Sequence, residues 1–357
     1  MRRCLKKWAL CSPVLAAALS LAGSAARAEE SCLTPRRLPD CVATPETGTP
    51  IFQPGTSQAA TDMATLSSRT GGAGIGSSAE FDPGYIDVAA PRTQFRWRGD
   101  AFYRDNRPDR ADFFYPKCGC FQTPDAKGPP LAEKRVDAQE QTFYFEYAPT
   151  ERYSGFLEVP YRYINPEVNA NANGFGDLRF GFKYAVISSP DQVLSVQLRT
   201  FTPTGDPFKG LGTNNWALEP AILYQRQLSE RLEVFGEFRD LIPVGAIDDF
   251  AGQVLRYGVG AGYLVYNGDH VRVTPIAELV GWTVLSGKEF APDIGVKDAG
   301  GDTIVNAKLG ARFNFGDLCA NGNSFLTRSD FYVGYGRALT GTVWYKDIIR
   351  LEYRLRF

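Results

Sequence analysis

From Arg92 onward, apolar and polar residues alternate with a period of two. Phe95, Trp97, Gly99, Ala101 and Tyr103 interleave with Arg96, Arg98, Asp100 and Phe102. Phe143, Phe145 and Tyr147 do so with Thr142, Tyr144 and Glu146, and Tyr153, Gly155, Leu157, Val159, Tyr161 and Tyr163 with Ser154, Glu158 and Arg162. Leu178, Phe180, Phe182, Tyr184 and Val186 interleave with Asp177, Arg179, Gly181 and Lys183. Strand side chains point to opposite faces in turn, so one face meets something apolar and the other something wet. Less regular segments predict further strands at about 192–202, 215–226, 231–240, 253–266, 270–284, 303–315, 329–338 and 345–357, which makes twelve. The 270–284 segment is the least regular, because Pro275 lies inside it.

The connections alternate as well. Short links rich in Pro, Ser, Asp, Asn and Gly fall at 148–152, 188–192, 226–231 and 267–270. Longer ones fall at 105–137, 164–174, 203–214, 241–252 and 286–302; the links at 316–328 and 339–344 break the pattern. Short turns at one end and long loops at the other are the outer-membrane pattern, and a soluble sandwich has no reason to sort its loops so. The chain ends Leu351-Glu352-Tyr353-Arg354-Leu355-Arg356-Phe357, which resembles the terminal signal read by the outer-membrane assembly machinery. A sheet edge left open in hydrocarbon would strand a row of N–H and C=O groups, each costing several kcal/mol. The strand 345–357 is therefore expected to pair with 92–104. The fold expected is all-β: a transmembrane antiparallel up-and-down β-barrel over residues 92–357.

The N-terminus reads differently. Arg2, Arg3, Lys6 and Lys7 precede an apolar stretch from Trp8 to Ala22 and the small residues of Ala26-Arg27-Ala28, so residues 1–28 are expected to be a cleaved signal peptide. Removing them takes away five of the 39 bases and none of the 40 acids, leaving 34 against 40. That balance gives no reason to expect nucleic acid as a partner. Residues 29–91 hold five early prolines and then a Ser/Thr/Gly stretch. They read as a flexible periplasmic extension, with a plug folded into the lumen as the alternative. No later segment offers a run of apolar residues long enough for a transmembrane helix. Aromatics at 13% with 36 glycines suit strands.

Asn173-Gly174-Phe175-Gly176-Asp177-Leu178-Arg179-Phe180-Gly181-Phe182-Lys183-Tyr184 resembles the signature strand of the outer-membrane family labelled MetA-pathway of phenol degradation. Thr202-Pro203-Thr204-Gly205-Asp206 and Gly210-Leu211-Gly212-Thr213 resemble the loop that follows it there. The likeness covers roughly residues 140–357 and implies a barrel that takes up small, hydrophobic or aromatic molecules by passive passage. Read on its own residues, the motif is first structural. Gly174 and Gly176 allow tight backbone, Asp177 can bond loop amides, and Gly181 leaves room for a bulky inner neighbour. A polar conduit through Asp177, Arg179 and Lys183 is the functional alternative.

Candidate lumen residues are Arg96, Arg98, Glu146, Glu158, Arg162, Asp177, Arg179, Lys183, Glu219, Arg256 and Arg312. Glu140, Glu237, Arg272, Glu278 and Lys308 join them. Both signs are present, so a self-neutralising wet interior is favoured over a selectivity filter. Cys32 with Cys41 could close a disulfide, Cys118 and Cys120 could bridge or pair elsewhere, and Cys319 is left over. No metal, cofactor or catalytic residue is expected. His270 is the single histidine and sits in a turn away from the loops, which does not suit a Ser–His pair. The partners expected are outer-membrane lipids, the assembly machinery acting on the Phe357 strand, and a small solute. A non-conducting structural or adhesive barrel is the competing role.

Overall fold

The computed structural model describes residues 81–105, 128, 129, 131, 133, 135–245, 251–291, 295–315, 328–341 and 344–357. All of them lie in the compact unit Ile75–Phe357. The expected signal peptide, residues 29–80 and Cys32, Cys41, Cys118, Cys120 and Cys319 fall outside the described residues.

Twelve strands form the wall: β1 Gln94–Asp105, β2 Val136–Thr150, β3 Tyr153–Pro166, β4 Arg179–Ser188, β5 Gln192–Phe201 and β6 Trp216–Gln227. Then come β7 Leu232–Val244, β8 Val254–Tyr263, β9 Val271–Val284, β10 Thr303–Phe315, β11 Ser329–Ala338 and β12 Asp347–Arg356. Each pairs antiparallel with its neighbours in chain order, β4–β5 for example running from Arg179↔Phe201 to Ser188↔Val193. The last strand returns to the first over Gln94↔Arg356 to Tyr103↔Asp347. The ring is thus a closed barrel with no free edge, as the pattern of alternation and terminal pairing required.

The two faces differ as a membrane wall demands. Phe143, Phe145 and Tyr147 on β2, Phe180, Phe182 and Tyr184 on β4, Val259 on β8 and Leu309 on β10 are exposed on the outside. Their sequence neighbours Thr142, Tyr144, Glu146, Arg179, Lys183, Lys308 and Gly258 are turned in. Gly181 shows the inner packing. A Cβ there would overlap the Phe156 ring and the Leu198 carbonyl, so the missing side chain is the space Phe156 fills.

Two details depart from the sequence reading, and the strand expected at 270–284 forms despite its proline. Residues 164–174 are not one loop: β3 continues to Pro166 and Ala172–Phe175 pairs back onto it through Tyr161↔Phe175 to Ile164↔Ala172. The Asn-rich tip carries no apolar alternation, so pattern could not show the extension. The stretch 286–302 contains a two-stranded ribbon, Lys288–Ala291 with Gly295–Asp298. Pro275 is accommodated in β9 because the ladder to β8 slips beside it. Ile276 opposes Gly262, whereas Val273 opposes Tyr266 beyond the slip, and a proline without an N–H fits where pairing is already interrupted.

Candidate functional site

A short segment just before β1 crosses the inside of the ring. In Asp82-Pro83-Gly84-Tyr85-Ile86-Asp87-Val88-Ala89, two acids five residues apart each meet a cluster of arginines. The Asp82 carboxylate is fully buried and accepts from Arg92 at 2.8 Å, Arg356 at 3.0 Å and Arg354. Asp87 pairs with Arg199 at 2.5 Å and Arg239 at 2.6 Å, with Arg96 at 4.0 Å. Burial alone would raise both carboxyls. The surrounding guanidinium groups outweigh it and hold both well below the usual carboxylate range, through Arg92, Arg354, Arg356 and Arg312 at Asp82 and Arg239, Arg199, Arg96 and Arg256 at Asp87.

The backbone between these acids is held equally firmly. The N–H groups of Gly84, Tyr85 and Ile86 donate to the Glu278 carboxylate at 3.2, 2.9 and 3.0 Å, and that of Asp87 donates to Glu237 at 3.1 Å. Arg312 donates to the Asp82 carbonyl at 3.0 Å and the Pro83 carbonyl at 2.6 Å. Arg350 reaches the Gly84 carbonyl and Arg256 the Tyr85 carbonyl, each at 3.0 Å. Ser195 donates to the Ala89 carbonyl at 2.6 Å. These anchors run from β12 through β10, β9, β8 and β7 to β5, about two thirds of the ring, so the segment straps the bore from wall to wall. A Cβ on Gly84 would overlap the Tyr332 ring, which also fills the space above Gly310 and Gly334. Only a residue without a side chain lets the strap lie this close.

Beside the strap lies a cavity of about 120 Å³. Of the sequence candidates, Arg98, Glu158, Arg179, Glu219 and Arg256 line it, together with Glu140 and Lys308. Apart from that of Lys308, their charges are paired. Arg179 meets Glu158 at 3.3 Å, Arg199 meets Glu158 at 2.9 Å and Glu219 at 2.5 Å, and Arg256 meets Glu237 at 2.8 Å. Towards the long-loop end the inner face turns apolar, with Phe102, Trp282, Ile304, Trp344, Tyr345 and Ile348 buried in one cluster.

The other candidates have different neighbours. Glu146 accepts from Gln94 at 2.6 Å, Tyr144 at 2.8 Å, Ser154 at 2.5 Å and Lys183 at 3.2 Å, a buried network in the wall. Arg96 lies over the Tyr144 ring at 4.2 Å. Arg312 meets Asp330 and, at 3.0 Å, Glu352 besides the strap. Arg162 pairs with Glu140 at 2.7 Å and donates to the Leu211 carbonyl.

Asp177 serves the same loop as Arg162. Its carboxylate accepts from the N–H groups of Gly205 and Thr213, both at 2.8 Å, and from the Thr213 hydroxyl at 3.0 Å. The aspartate of the G-x-G-D strand thereby fastens both ends of the P-T-G-D loop, and Leu211 packs into the apolar cluster. Asp177→Ala leaves two amides unpaired, which costs about 2–4 kcal/mol locally. Hydrogen exchange over 204–214 should accelerate roughly 100-fold on that scale while the strands keep their protection.

Sequence reasoning missed Asp100, Arg199, Arg239, Asp330, Arg350, Glu352 and Arg354 as site residues. The last three carried a readable signal. Leu351, Tyr353 and Leu355 alternate outward, which turns Arg350, Glu352 and Arg354 in.

The fold and site define a closed twelve-stranded barrel with a charged bore and an inner strap. Residues 123–242, about a third of the chain, match the family described as MetA-pathway of phenol degradation, and the stretch includes both motifs that carried the resemblance. No curated relative matches the chain. Solved structures similar to it include an outer membrane channel from Pseudomonas putida F1, at 15% identity and TM-score 0.49, spanning 78% of this chain and 100% of that one. NanC porin is similar at 10% identity and TM-score 0.43, spanning 74% and 98%, and LpxR from Salmonella typhimurium at 10% and 0.42, spanning 74% and 100%. None of these similarities carries a substrate over to this chain.

Proposed function

We propose that this protein is an outer-membrane channel for passive passage of small molecules and not an enzyme. What carries the reading is the division of the wall: exposed apolar side chains outside, paired charges and a cavity inside. A wall of that kind is stable only with hydrocarbon around it and water within it. Export by a cleaved signal peptide, and recognition of the Phe357 strand by the assembly machinery, go with this reading. The apolar cluster of Phe102, Trp282, Trp344 and Tyr345 at the long-loop end supports entry of hydrophobic or aromatic solutes.

The strap favours a second reading, a structural barrel that conducts nothing, because it crosses the bore between arginine clusters. Purified protein in planar bilayers separates the two. Stepwise current openings are expected from the channel, and a bilayer that stays silent would leave the structural role.

A further inference from the structure

Lys308 sits on the inner face of β10, and its side chain is almost fully buried. Its ammonium has one protein acceptor, the Tyr345 hydroxyl at 2.9 Å, and lies over the rings of Tyr85, Trp282 and Tyr345 at 4.0, 5.2 and 5.5 Å. Among the described residues no carboxylate forms an ion pair with it. The Glu278 carboxylate interacts with it electrostatically but already receives three N–H groups of the strap. Aromatic faces attract a cation without neutralising it. An ammonium has three donors, and one acceptor leaves two of them open.

A second observation points to the same place. Tyr85, at the middle of the strap, lines the same cavity, and its buried hydroxyl has no hydrogen-bond partner. Burial pushes this phenol up from its ordinary value, so it stays a neutral donor at physiological pH. Seven basic side chains line the cavity against five acidic ones; Glu237, behind the lining, pairs with Arg239 and Arg256, so Lys308 is the lining base without an ion pair among the described residues. Phe102, Phe201 and Trp282 give the cavity an aromatic border. A buried polar site with spare donors and a base that no carboxylate pairs is completed by an anion.

We infer that the cavity between Lys308, Tyr85 and Trp282 is a binding site for a small organic anion with an aromatic or apolar body. Its carboxylate is held by Lys308 and Tyr85, and its body lies against the aromatic border. The inference names the solute class for the proposed channel and rests on that reading for its role in transport. Binding itself does not depend on conduction.

Calorimetric titration of the full-length mature protein in detergent tests it, with benzoate against two partners of the same shape, benzyl alcohol and benzylamine. Benzoate should bind at least about tenfold more tightly than either. Lys308→Met should lose about tenfold of that affinity, Tyr85→Phe a few-fold, and Lys308→Arg should keep most of it. Equal binding of benzoate and benzyl alcohol overturns the site, as does a folded Lys308→Met variant that binds benzoate unchanged. Should Lys308→Met fail to fold, the wild-type comparison and Tyr85→Phe still decide. Bilayer recordings keep the two readings apart. A conducting protein that ignores benzoate sinks the site alone, and a silent protein that binds benzoate sinks the channel alone.

Discussion

Deleting residues 82–91 should raise the conductance of single openings severalfold. The strap is the one chain segment among the described residues seen to span the bore, and its anchors are side chains, not sheet pairing. Without it, Arg199, Arg239, Arg354 and Arg356 would lose buried partners but would face water in the vacated lumen. Solvation then replaces the lost ion pairs, so the wall should survive. Acid should do reversibly what the deletion does permanently. Asp82 and Asp87 have carboxyls held below the usual range, so each stabilises the docked strap at any pH above its unfolded value. That contribution is lost as pH falls below about 4 and on toward the depressed values. Current through the intact protein should therefore rise in strong acid. The deletion variant, lacking both acids, should show a smaller rise or none. Equal conductance of the two proteins at neutral pH would refute a plugging role, and an acid response of the same size in both would assign it to other carboxylates.

The barrel was legible, whereas the strap stood only as the alternative of a plug folded into the lumen, for one physical reason. Strand alternation is local: Phe143, Phe145 and Tyr147 against Thr142, Tyr144 and Glu146 announce two environments within six residues. Ring closure followed from the cost of an open edge, and Gln94↔Arg356 bears it out. The Asp82 anchor is instead 272 residues from Arg354, and the Gly84 anchor 194 residues from Glu278. Nothing within the segment distinguishes those acids from any solvated pair in a linker. The change from Ser/Thr/Gly to Phe81-Asp82-Pro83-Gly84-Tyr85-Ile86-Asp87-Val88 was the available hint, since it brings in apolar residues with nothing local to cover them. Asp177 shows an intermediate case. Its residue type announced a loop clamp, whereas its partners Gly205 and Thr213 needed the fold to be seen.

A single arginine on the outer wall should cost more than any surface substitution in a soluble sheet. Leu279, near the middle of β9, is 48% exposed and opposes Val259 on β8, itself 62% exposed, with Ala307 on its other side. In water such a site accepts arginine at little cost. In a bilayer, a cation near the midplane destabilises a barrel by about 2–4 kcal/mol, falling to about 0–1 kcal/mol near the interface. Leu228, in the turn between β6 and β7 and 53% exposed, supplies the shallow comparison. Denaturant unfolding in vesicles should therefore show a large loss for Leu279→Arg and a small one for Leu228→Arg. The exposed face has similar area at both positions, so only depth in hydrocarbon separates them. A loss below about 0.5 kcal/mol at Leu279 would mean that this face meets water, and the membrane reading would fall with it.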